Sequence, residues 1–574
     1  MNDNRNMILA IALSALVLIG WSFLSERFFP TAGPQTQRVE NGKVKPVPQP
    51  QADPAGDAPR AVRSRNVVLA ESPRVRIETP SLQGSINLKG ARFDDLVLVR
   101  ERETIGKDAP AVRLLSPAGA PLAYFAGFGW TGENIATPDA NSLWTASAPT
   151  LVPGKPVTLG WSNPTGQRFE LTVAIDEGYL FTVGQRVVNL GSGAVGVRPY
   201  GLVSRADKSV DVDGWTMHVG PMAYLAGTAN YDIDYETLDE DKAGATFDSR
   251  GGWLGFTDKY WLTALAPAGG APIEASFKKS PSGAYQADYA GAPYIVAPGQ
   301  AVSGETRLFA GAKEKHLLDR YEDQGIAKIS KSIDWGWFEW FMRPIFDLLN
   351  WLFSVLGNFG VAIIALTFIV RLLMFPIADK QFRSMAGMRR VQPKMKAIQE
   401  RYKDDKPKLQ QEMLKLYQTE KINPAAGCLP ILLQIPIFYA LYKVLMVAVE
   451  MRHQPFALWI KDLSAPDPMT PVNLFGLLDF TPPGFLLIGV LPILLGVTMW
   501  LQFKLNPAPM DPVQQQIFGF MPWILMIVMA PFAAGLQLYW VVSNILTIAQ
   551  QKWLYYRYDH EMSPPVPEPA IVKK

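Results

Sequence analysis

The stretch FGVAIIALTFIVRLLMFPIA, residues 359–378, decides the fold class of this chain. About 20 predominantly apolar residues in a helix are enough to cross a bilayer. One charged residue, Arg371, lies inside this run. A guanidinium at that depth is costly unless water, a partner group or access to the interface relieves it, so such a residue is a candidate for a functional site.

Five further apolar runs extend this pattern, at residues 7–24, 426–449, 485–503, 517–531 and 534–554. Together with 359–378 they predict a multi-pass α-helical membrane protein with six spans. The last two runs are separated by only two residues, which predicts a tight helical hairpin. The first run, residues 7–24, follows a short N-terminal segment, residues 1–6. Bulky Trp21 and Phe23 favour an uncleaved signal anchor over a cleaved signal peptide.

The charges of the connecting segments predict the orientation. Residues 379–421 carry twelve Lys and Arg against six Asp and Glu, whereas residues 450–484 carry two against four. Basic connections stay on the cytoplasmic side. The sequence therefore places both termini, residues 379–421, 504–516 and the tail 555–574 in the cytoplasm, and the loop 450–484 in the periplasm.

A large polar region, residues 63–325, separates the first run from the others and has the pattern of short strands. Apolar and polar residues alternate at 74–79 and 169–175, and turns rich in Gly, Asn, Asp and Pro recur. This pattern predicts a periplasmic β-sandwich, joined to the first span by a flexible proline-rich linker, residues 25–62. Tryptophans are expected to fill its core: Trp130, Trp144, Trp161, Trp215 and Trp253.

Two segments flank the 359–378 run. Residues 331–350 mix Trp and Phe with charged residues, which predicts an amphipathic helix on the membrane surface; the alternative is a simple lead-in to the span. Residues 379–421 have apolar residues at spacings of three and four on either side of a break at Pro407. This pattern predicts a basic helical hairpin, either a solvated loop that sets topology or a docking arm.

Neither the composition nor the motifs of the chain indicate an enzyme or a nucleic-acid-binding protein. The 574-residue chain has a net charge of +3, too small to indicate nucleic-acid binding by bulk charge, and its single cysteine, Cys428, cannot form an intramolecular disulfide. The sequence contains no Gly-rich phosphate loop, nucleophile elbow or metal-binding cluster. His218 near Asp211 and Asp213 is the best catalytic candidate, but a strand-edge histidine near solvated acids is the favoured interpretation. We expect no catalytic residue, cofactor or metal.

Arg371 lies roughly 12 Å of helix from the cytoplasmic flank, so the simplest interpretation is that its side chain reaches the inner headgroups. The alternative is a wet recess. No acidic residue lies well inside any run, so Arg371 lacks an obvious permanent counter-ion and remains available to a transient acidic guest. Polar residues that could line the recess are Thr367, Gln434, Ser543, Asn544, Thr547 and Gln550. Helix–helix hydrogen bonding is the alternative for each of them.

Large side chains occupy the outer parts of these runs, at Ile435, Phe438, Tyr539 and Trp540. A recess that is wet on the cytoplasmic side and apolar beyond it would receive a polar segment and an apolar helix together. The commoner role of such side chains is to face lipid or to pack between helices.

Several ordered motifs resemble the YidC/Oxa/Alb family of membrane protein insertases in its Gram-negative form. They are TFIVR (367–371), QPK (392–394), NPAAGCLP (423–430), QIPIF (434–438), PFALWIKDL (455–463), DPVQQQ (511–516) and GLQLYWVVSN (535–544). With the N-terminal anchor and the outer β domain, the resemblance covers essentially the whole chain.

The resemblance implies a five-helix core with a hydrophilic groove that is open to the cytoplasm and to lipid. Arg371 matches the family's groove arginine. Thr367, Ile435, Phe438, Tyr539 and Trp540 would line the path of the substrate helix, although Trp540 replaces a tyrosine often found there. The implied function is insertion and folding of membrane proteins in the inner membrane without ATP. The implied partners are nascent membrane proteins, lipid, Sec translocase subunits and, at the cytoplasmic face, ribosomes or targeting factors.

Two other functions remain open on the residues alone. An anion transporter could use Arg371 to bind its solute, and internal repeats would support it, but the sequence shows none. A membrane-tethered sugar enzyme would need the spans only as an anchor, for which five core spans and a basic hairpin are excessive.

Overall fold

The computed structural model describes residues 62–557, apart from 107, 134, 212–216, 242–243, 337, 404, 421–428, 476, 479–486 and 506–511. The chain divides into two compact units, and the boundary lies between Asp334 and Trp335. The predicted signal anchor and almost all of the linker lie outside the described residues. So do the tail from residue 558 onward and residues 506–511 of the connection 504–516.

The described part of the first unit contains three short helices and twenty strands. The helices are α1 (Arg65–Ala70), α2 (Tyr235–Glu240) and α3 (Lys315–Asp323). The strands are β1 (Arg74–Glu78), β2 (Leu82–Asn87), β3 (Arg92–Arg102), β4 (Ala111–Leu115), β5 (Tyr124–Glu133), β6 (Thr145–Ala146), β7 (Thr150–Leu151), β8 (Val157–Ser162), β9 (Gln167–Ile175), β10 (Leu180–Asn189), β11 (Val195–Arg205), β12 (Gly220–Leu225), β13 (Thr228–Asn230), β14 (Ala245–Arg250), β15 (Trp253–Thr257), β16 (Trp261–Pro267), β17 (Pro272–Lys279), β18 (Tyr285–Ala290), β19 (Tyr294–Val296) and β20 (Ala301–Ala312).

These strands form two large sheets. The first has the order β14-β17-β18-β11-β5-β3-β2-β1-β7, with β19 beside β11 and β4 beside β3. The second has the order β13-β12-β15-β16-β20-β10-β9-β8-β6. Neighbours are antiparallel, for example β10 with β9 and β20, whereas β1 and β7 run parallel.

Side chains from both sheets meet in a shared core. Phe93 of β3 and Phe181 of β10 contact edge to face at 5.4 Å between ring centroids, and Trp130 of β5 lies 5.2 Å from Phe169 of β9. The buried Gln185 amide on β10 donates to the Gly129 carbonyl of β5 at 3.0 Å. The alternating burial along β9 matches its alternating sequence, because successive side chains point to opposite faces of a strand. The region is therefore a sheet-rich sandwich.

The aromatic core and the histidine candidate are placed as follows. Trp130, Trp144 and Trp253 are buried and Trp161 is partly exposed, whereas Trp215 lies outside the described residues. His218 is buried, and its Nε2 lies 2.7 Å from the Pro221 carbonyl. Asp211 accepts from the Lys259 backbone N–H at 2.8 Å, and Asp213 is not described. These contacts support the structural interpretation of His218.

The described part of the second unit is helical. Its helices are α4 (Glu339–Leu356), α5 (Phe359–Leu373), α6 (Phe375–Arg401), α7 (Lys406–Thr419), α8 (Leu429–Val447), α9 (Val490–Leu505), α10 (Pro512–Met529) and α11 (Ala534–Arg557). Short 3-10 turns lie at Ile329–Ser332 in the first unit and at Val449–Met451 and Pro471–Asn473 in the second.

Helix α11 is the centre of the second unit, because it packs against α5, α6, α8 and α9. Helix α4 packs against α5 and α8, and α6 packs against α7. Among the described residues, no helix is at once long enough and apolar enough to cross a membrane.

The observed helices differ in their limits from the predicted segments. The 359–378 run is divided: α5 ends at Leu373, and α6 begins at Phe375 with Pro376 in its first turn. Proline lacks an N–H and disfavours helical geometry in the residue before it, so it fits a helix start and interrupts a continuous helix. The predicted surface helix 331–350 is observed later, as α4, after Gly336 with a φ of +69°.

Two polar side chains join the connections of the second unit. Gln537 is fully buried and donates to the carbonyls of Met529 and Phe532 at 2.9 and 2.8 Å, which closes the turn between α10 and α11. Asn358 accepts from the Val361 N–H as the N-cap of α5 and donates to the Phe456 carbonyl at 2.9 Å. Buried carbonyls at helix ends need such partners.

The second residue of α5 approaches the loop after α8 so closely that only glycine fits. A Cβ built on Gly360 would lie 2.0 Å from Cδ2 and 2.7 Å from Cβ of Phe456. We expect Gly360→Ala to lower the free energy of unfolding by about 1–3 kcal/mol, because the backbone must move to relieve the overlap. The measurement is the thermal unfolding midpoint of the purified protein in lipid nanodiscs.

Gly519→Ala is the matched control, since a Cβ on this glycine of α10 would meet nothing within 4 Å. Alanine is the better helix former, so the control should be neutral or slightly stabilising. Equal midpoints for the two variants would contradict the close approach of α5 to Phe456.

Candidate functional site

Arg371 lies in the last turn of α5, and its guanidinium reaches across to α11. The side-chain oxygen of Ser543 accepts hydrogen bonds from Nε, at 3.2 Å, and from Nη2. Ser543 is 1% exposed, and Arg371 is partly exposed. The structure therefore joins the charged residue to the polar stripe that the sequence places on the last helix.

Arg371 has no carboxylate partner within the described residues. The hydroxyl of Ser543 stabilises the guanidinium through charge-assisted hydrogen bonds but does not neutralise it. A buried ion pair would leave the site neutral, whereas this arrangement leaves a net positive charge. The site can therefore attract an anionic group without first displacing a resident acid.

A second polar contact joins α8 to the same face of α11. The Gln434 amide donates to the Tyr539 hydroxyl at 2.7 Å. Tyr539 is almost fully buried and precedes Ser543 by one helical turn, and their side chains interact. Gln434, Tyr539, Ser543 and Arg371 thus form a continuous polar chain across α8, α11 and α5.

The other predicted groove residues of α11 make different contacts. The Asn544 amide donates to the Thr498 hydroxyl of α9 at 3.1 Å, so it forms a helix–helix contact away from Arg371. The Thr547 hydroxyl donates to the Ser543 carbonyl of its own helix at 2.7 Å. The Gln550 Nε2 atom is buried and has no hydrogen-bond partner among the described residues.

Thr367 is not part of this polar chain. It is 0% exposed, and its hydroxyl donates to the Ile363 carbonyl at 2.7 Å. Its position four residues before Arg371 places it on the same side of α5, but helix packing covers it. The structure therefore brings Arg371, Ser543, Tyr539 and Gln434 together and leaves Thr367 outside this group.

The residues of the predicted apolar face differ in how far they are exposed. Ile435 is 56% exposed, whereas Tyr539 is almost completely buried. The rings of Phe438 and Trp540 contact each other with centroids 4.7 Å apart at an angle of 57°. This aromatic pair and Ile435 offer apolar surface, and Tyr539 contributes its hydroxyl to the polar chain.

Two residues of this region were missed by the sequence reasoning. The Thr498 hydroxyl accepts a hydrogen bond from the Asn544 amide, and Gln537 closes the α10–α11 turn. Each is a polar residue inside an apolar run, and this pattern could have identified both residues from the sequence. Among the described residues, no group of three or more His, Cys, Asp or Glu side chains is placed to hold a metal ion.

The chain is similar to known families along almost all of its length. Residues 351–561 match the 60Kd inner membrane protein family, and residues 74–348 match the YidC periplasmic domain. The membrane protein insertase YidC of Zymomonas mobilis is 50% identical over 560 residues, which cover 97% of this chain and 96% of that protein. The chain belongs to the YidC family of membrane protein insertases. The family recognised from the motifs is thereby confirmed.

The chain is also similar to a second curated protein and to a solved structure. The membrane protein insertase YidC of Methylobacterium radiotolerans is 45% identical over 588 residues, covering 96% of this chain and 94% of that protein. A crystal structure of an active YidC insertase, in which the first transmembrane domain is seen, is 18% identical. It covers 95% of this chain and 99% of that chain, with a TM-score of 0.37.

A substitution at Ser543 tests its hydrogen bonds with the Arg371 guanidinium. We expect Ser543→Ala to lower the free energy of unfolding by about 1–2 kcal/mol, because the guanidinium loses its hydrogen-bond acceptor in a poorly hydrated site. Thr547→Ala is the control on the same helix, since its hydroxyl bonds only its own backbone. Thermal unfolding in nanodiscs measures both, and a loss of stability in the control equal to that of Ser543→Ala would contradict the contact.

Proposed function

We propose that this protein inserts integral membrane proteins into the bacterial inner membrane and helps them to fold and assemble, alone or with the Sec translocase. The observation that supports it most directly is the positively charged site at Arg371, which has no carboxylate partner among the described residues, in a chain related to insertases over nearly its full length. Under this proposal Arg371 lies in a hydrophilic groove that receives the polar part of a substrate.

The proposed mechanism uses attraction and partition. A substrate's short acidic segment enters from the cytoplasm and interacts with the guanidinium, while its apolar helix moves past Ile435 and the Phe438–Trp540 pair into lipid. The membrane potential favours outward movement of negative charge by about 2.3 kcal/mol per charge per 100 mV. Transfer of the apolar helix out of water supplies a further driving force, so the mechanism needs no ATP.

The polar chain from Gln434 to Arg371 suits this role. A neutral serine holds the guanidinium in position, so an arriving carboxylate gains a charged partner at little rearrangement of the site. A stronger resident counter-ion would compete with the substrate. The moderate strength of a charge-assisted hydrogen bond also allows the acidic segment to leave, which an insertase requires.

The proposed topology has six spans, five of which form the core, with both termini in the cytoplasm and the β-sandwich in the periplasm. The asymmetry of charge between residues 379–421 and 450–484 supports this orientation. The pair α6 and α7 would then form the cytoplasmic hairpin, and α4, with Trp340 and Trp351 strongly exposed, would lie at the outer membrane surface.

The proposed partners are nascent membrane proteins and the lipid bilayer, with Sec translocase subunits on the periplasmic side. Ribosomes or targeting factors would meet the basic hairpin. We further propose that the protein is not an enzyme and needs no cofactor. The contact of the buried His218 ring with the Pro221 carbonyl supports this view, because it gives the best catalytic candidate a structural partner within its own domain.

Changing the charge at position 371 is the main test of the proposed function. We expect Arg371→Ala to reduce insertion of acidic-tailed substrates about tenfold, which corresponds to losing about 1.5 kcal/mol of a charge-assisted interaction. Arg371→Lys should retain most of the activity, since the charge is kept. The assay is insertion into proteoliposomes that contain the purified variant, scored by protease protection of the substrate tail.

A substrate with a neutral tail is the internal control and should be affected much less by either change. Full activity of Arg371→Ala on every acidic-tailed substrate would return this arginine to a purely structural role.

The exposed part of α8 predicts where a substrate helix is found. A photo-crosslinker at Ile435 should form adducts with a stalled nascent membrane protein, because this side chain is largely open. The same probe at Val444, which is fully buried on the same helix, should form few. Equal yields at the two positions would argue against a substrate path along this side of α8.

A further inference from the structure

The segment between α8 and α9, residues 448–489, is called the outer loop. Its base, the part around Leu463 and Asp467, is held by several hydrogen bonds. Asp467 is buried and accepts from the Trp459 indole at 2.9 Å, from the Met469 N–H at 3.0 Å and from the Leu491 N–H at 2.8 Å. The Leu463 carbonyl accepts from the Gly535 N–H at 2.9 Å, which ties the base to the start of α11. Hydrogen-bonded carboxylates of this kind rigidify a loop.

The distal part of the outer loop, described at residues 472–475 and 477–478, is called the tip. Its backbone is folded into turns: the Phe475 N–H donates to the Thr470 carbonyl at 2.9 Å and the Leu478 N–H to the Asn473 carbonyl at 3.1 Å. Leu474 and Phe475 have φ values of 52° and 60°, a region that side chains other than glycine disfavour. Such strain persists only where the surroundings impose it, and it accompanies functional segments.

The side chains of the tip point outward although they are apolar. Leu477 is 84% exposed, in contrast to Leu463 in the base, which is fully buried. The same loop therefore buries one set of apolar residues and presents another. The exposed set comprises Val472, Leu474, Phe475, Leu477 and Leu478. No charged residue is present among the described residues of the tip. Contiguous exposed apolar surface indicates an interaction site.

The surface of α9 continues this apolar character. Leu494, Val497 and Leu501 are exposed at spacings of three and four, so they share one side of the helix. Under the proposed topology this side of α9 faces lipid. An uncharged apolar tip at the outer end of a lipid-facing helix is suited to the same bilayer rather than to a charged protein surface.

We propose that the tip inserts into the outer leaflet of the membrane and anchors the outer loop there. This inference rests on the proposed membrane-spanning topology. The irregular backbone of the tip cannot satisfy all its polar groups in hydrocarbon, so the tip lies at the level of the headgroups and upper acyl chains and not at the bilayer centre.

The test uses a fluorescent probe whose emission shifts to the blue in apolar surroundings. Cys428 is the only cysteine, so Cys428→Ser provides a background for single labels at Leu477→Cys, Leu494→Cys and Val210→Cys. The full-length proteins are reconstituted into vesicles with lipids that carry a nitroxide quencher either near the headgroup or deep in the acyl chain. Val210, which is 89% exposed in the first unit, is the water reference.

We expect the label at Leu477 to be blue-shifted relative to Val210 and quenched about as strongly as that at Leu494, with the shallow nitroxide more effective than the deep one. Emission and quenching equal to those at Val210 would overturn the inference. So would a blue shift without nitroxide quenching, because a protein surface would then cover the tip. If Leu494 also escapes quenching, the spanning topology itself fails.

Discussion

The helical unit depends on one electrostatic constraint: a guanidinium in largely apolar surroundings needs a hydrogen-bond acceptor. Arg371 meets this constraint through Ser543, whose hydroxyl accepts two hydrogen bonds from it. A carboxylate in that place would have been a stronger partner, but the pair would have lost its net charge. The neutral acceptor joins α5 to α11 and leaves the positive charge of Arg371 in place.

Helix α11 makes this arrangement possible because it is the helix that all parts of the site share. It supplies Ser543 to α5, Tyr539 to α8 and Asn544 to α9. Gln537 at its start fixes the turn from α10, and the outer loop is bonded to Gly535. The helix therefore supplies the polar partners of Arg371 and Gln434 and the contacts that join its neighbours.

The β-rich unit achieves stability by other means. Its two sheets share an aromatic core, and buried Gln185 bonds one sheet to the other, without a disulfide, which a single cysteine excludes. Its size suffices for a core of its own. The two units are thus stabilised differently: the first by an aromatic core shared by two sheets, and the second by helix packing with a few polar contacts between helices.

The sequence by itself determined the family, the division into a β-rich and a helical part, and the set of polar residues from which the site is drawn. The spacing of apolar residues and the short family motifs are local features of the sequence, so they can be recognised without the structure. Tertiary structure decided which members of that set meet. Ser543 and Tyr539 face Arg371 and Gln434, whereas Asn544 turns to Thr498, and Thr367 bonds its own helix. A one-dimensional pattern places a residue on a side of its helix, but the rotation and packing of neighbouring helices determine its partner.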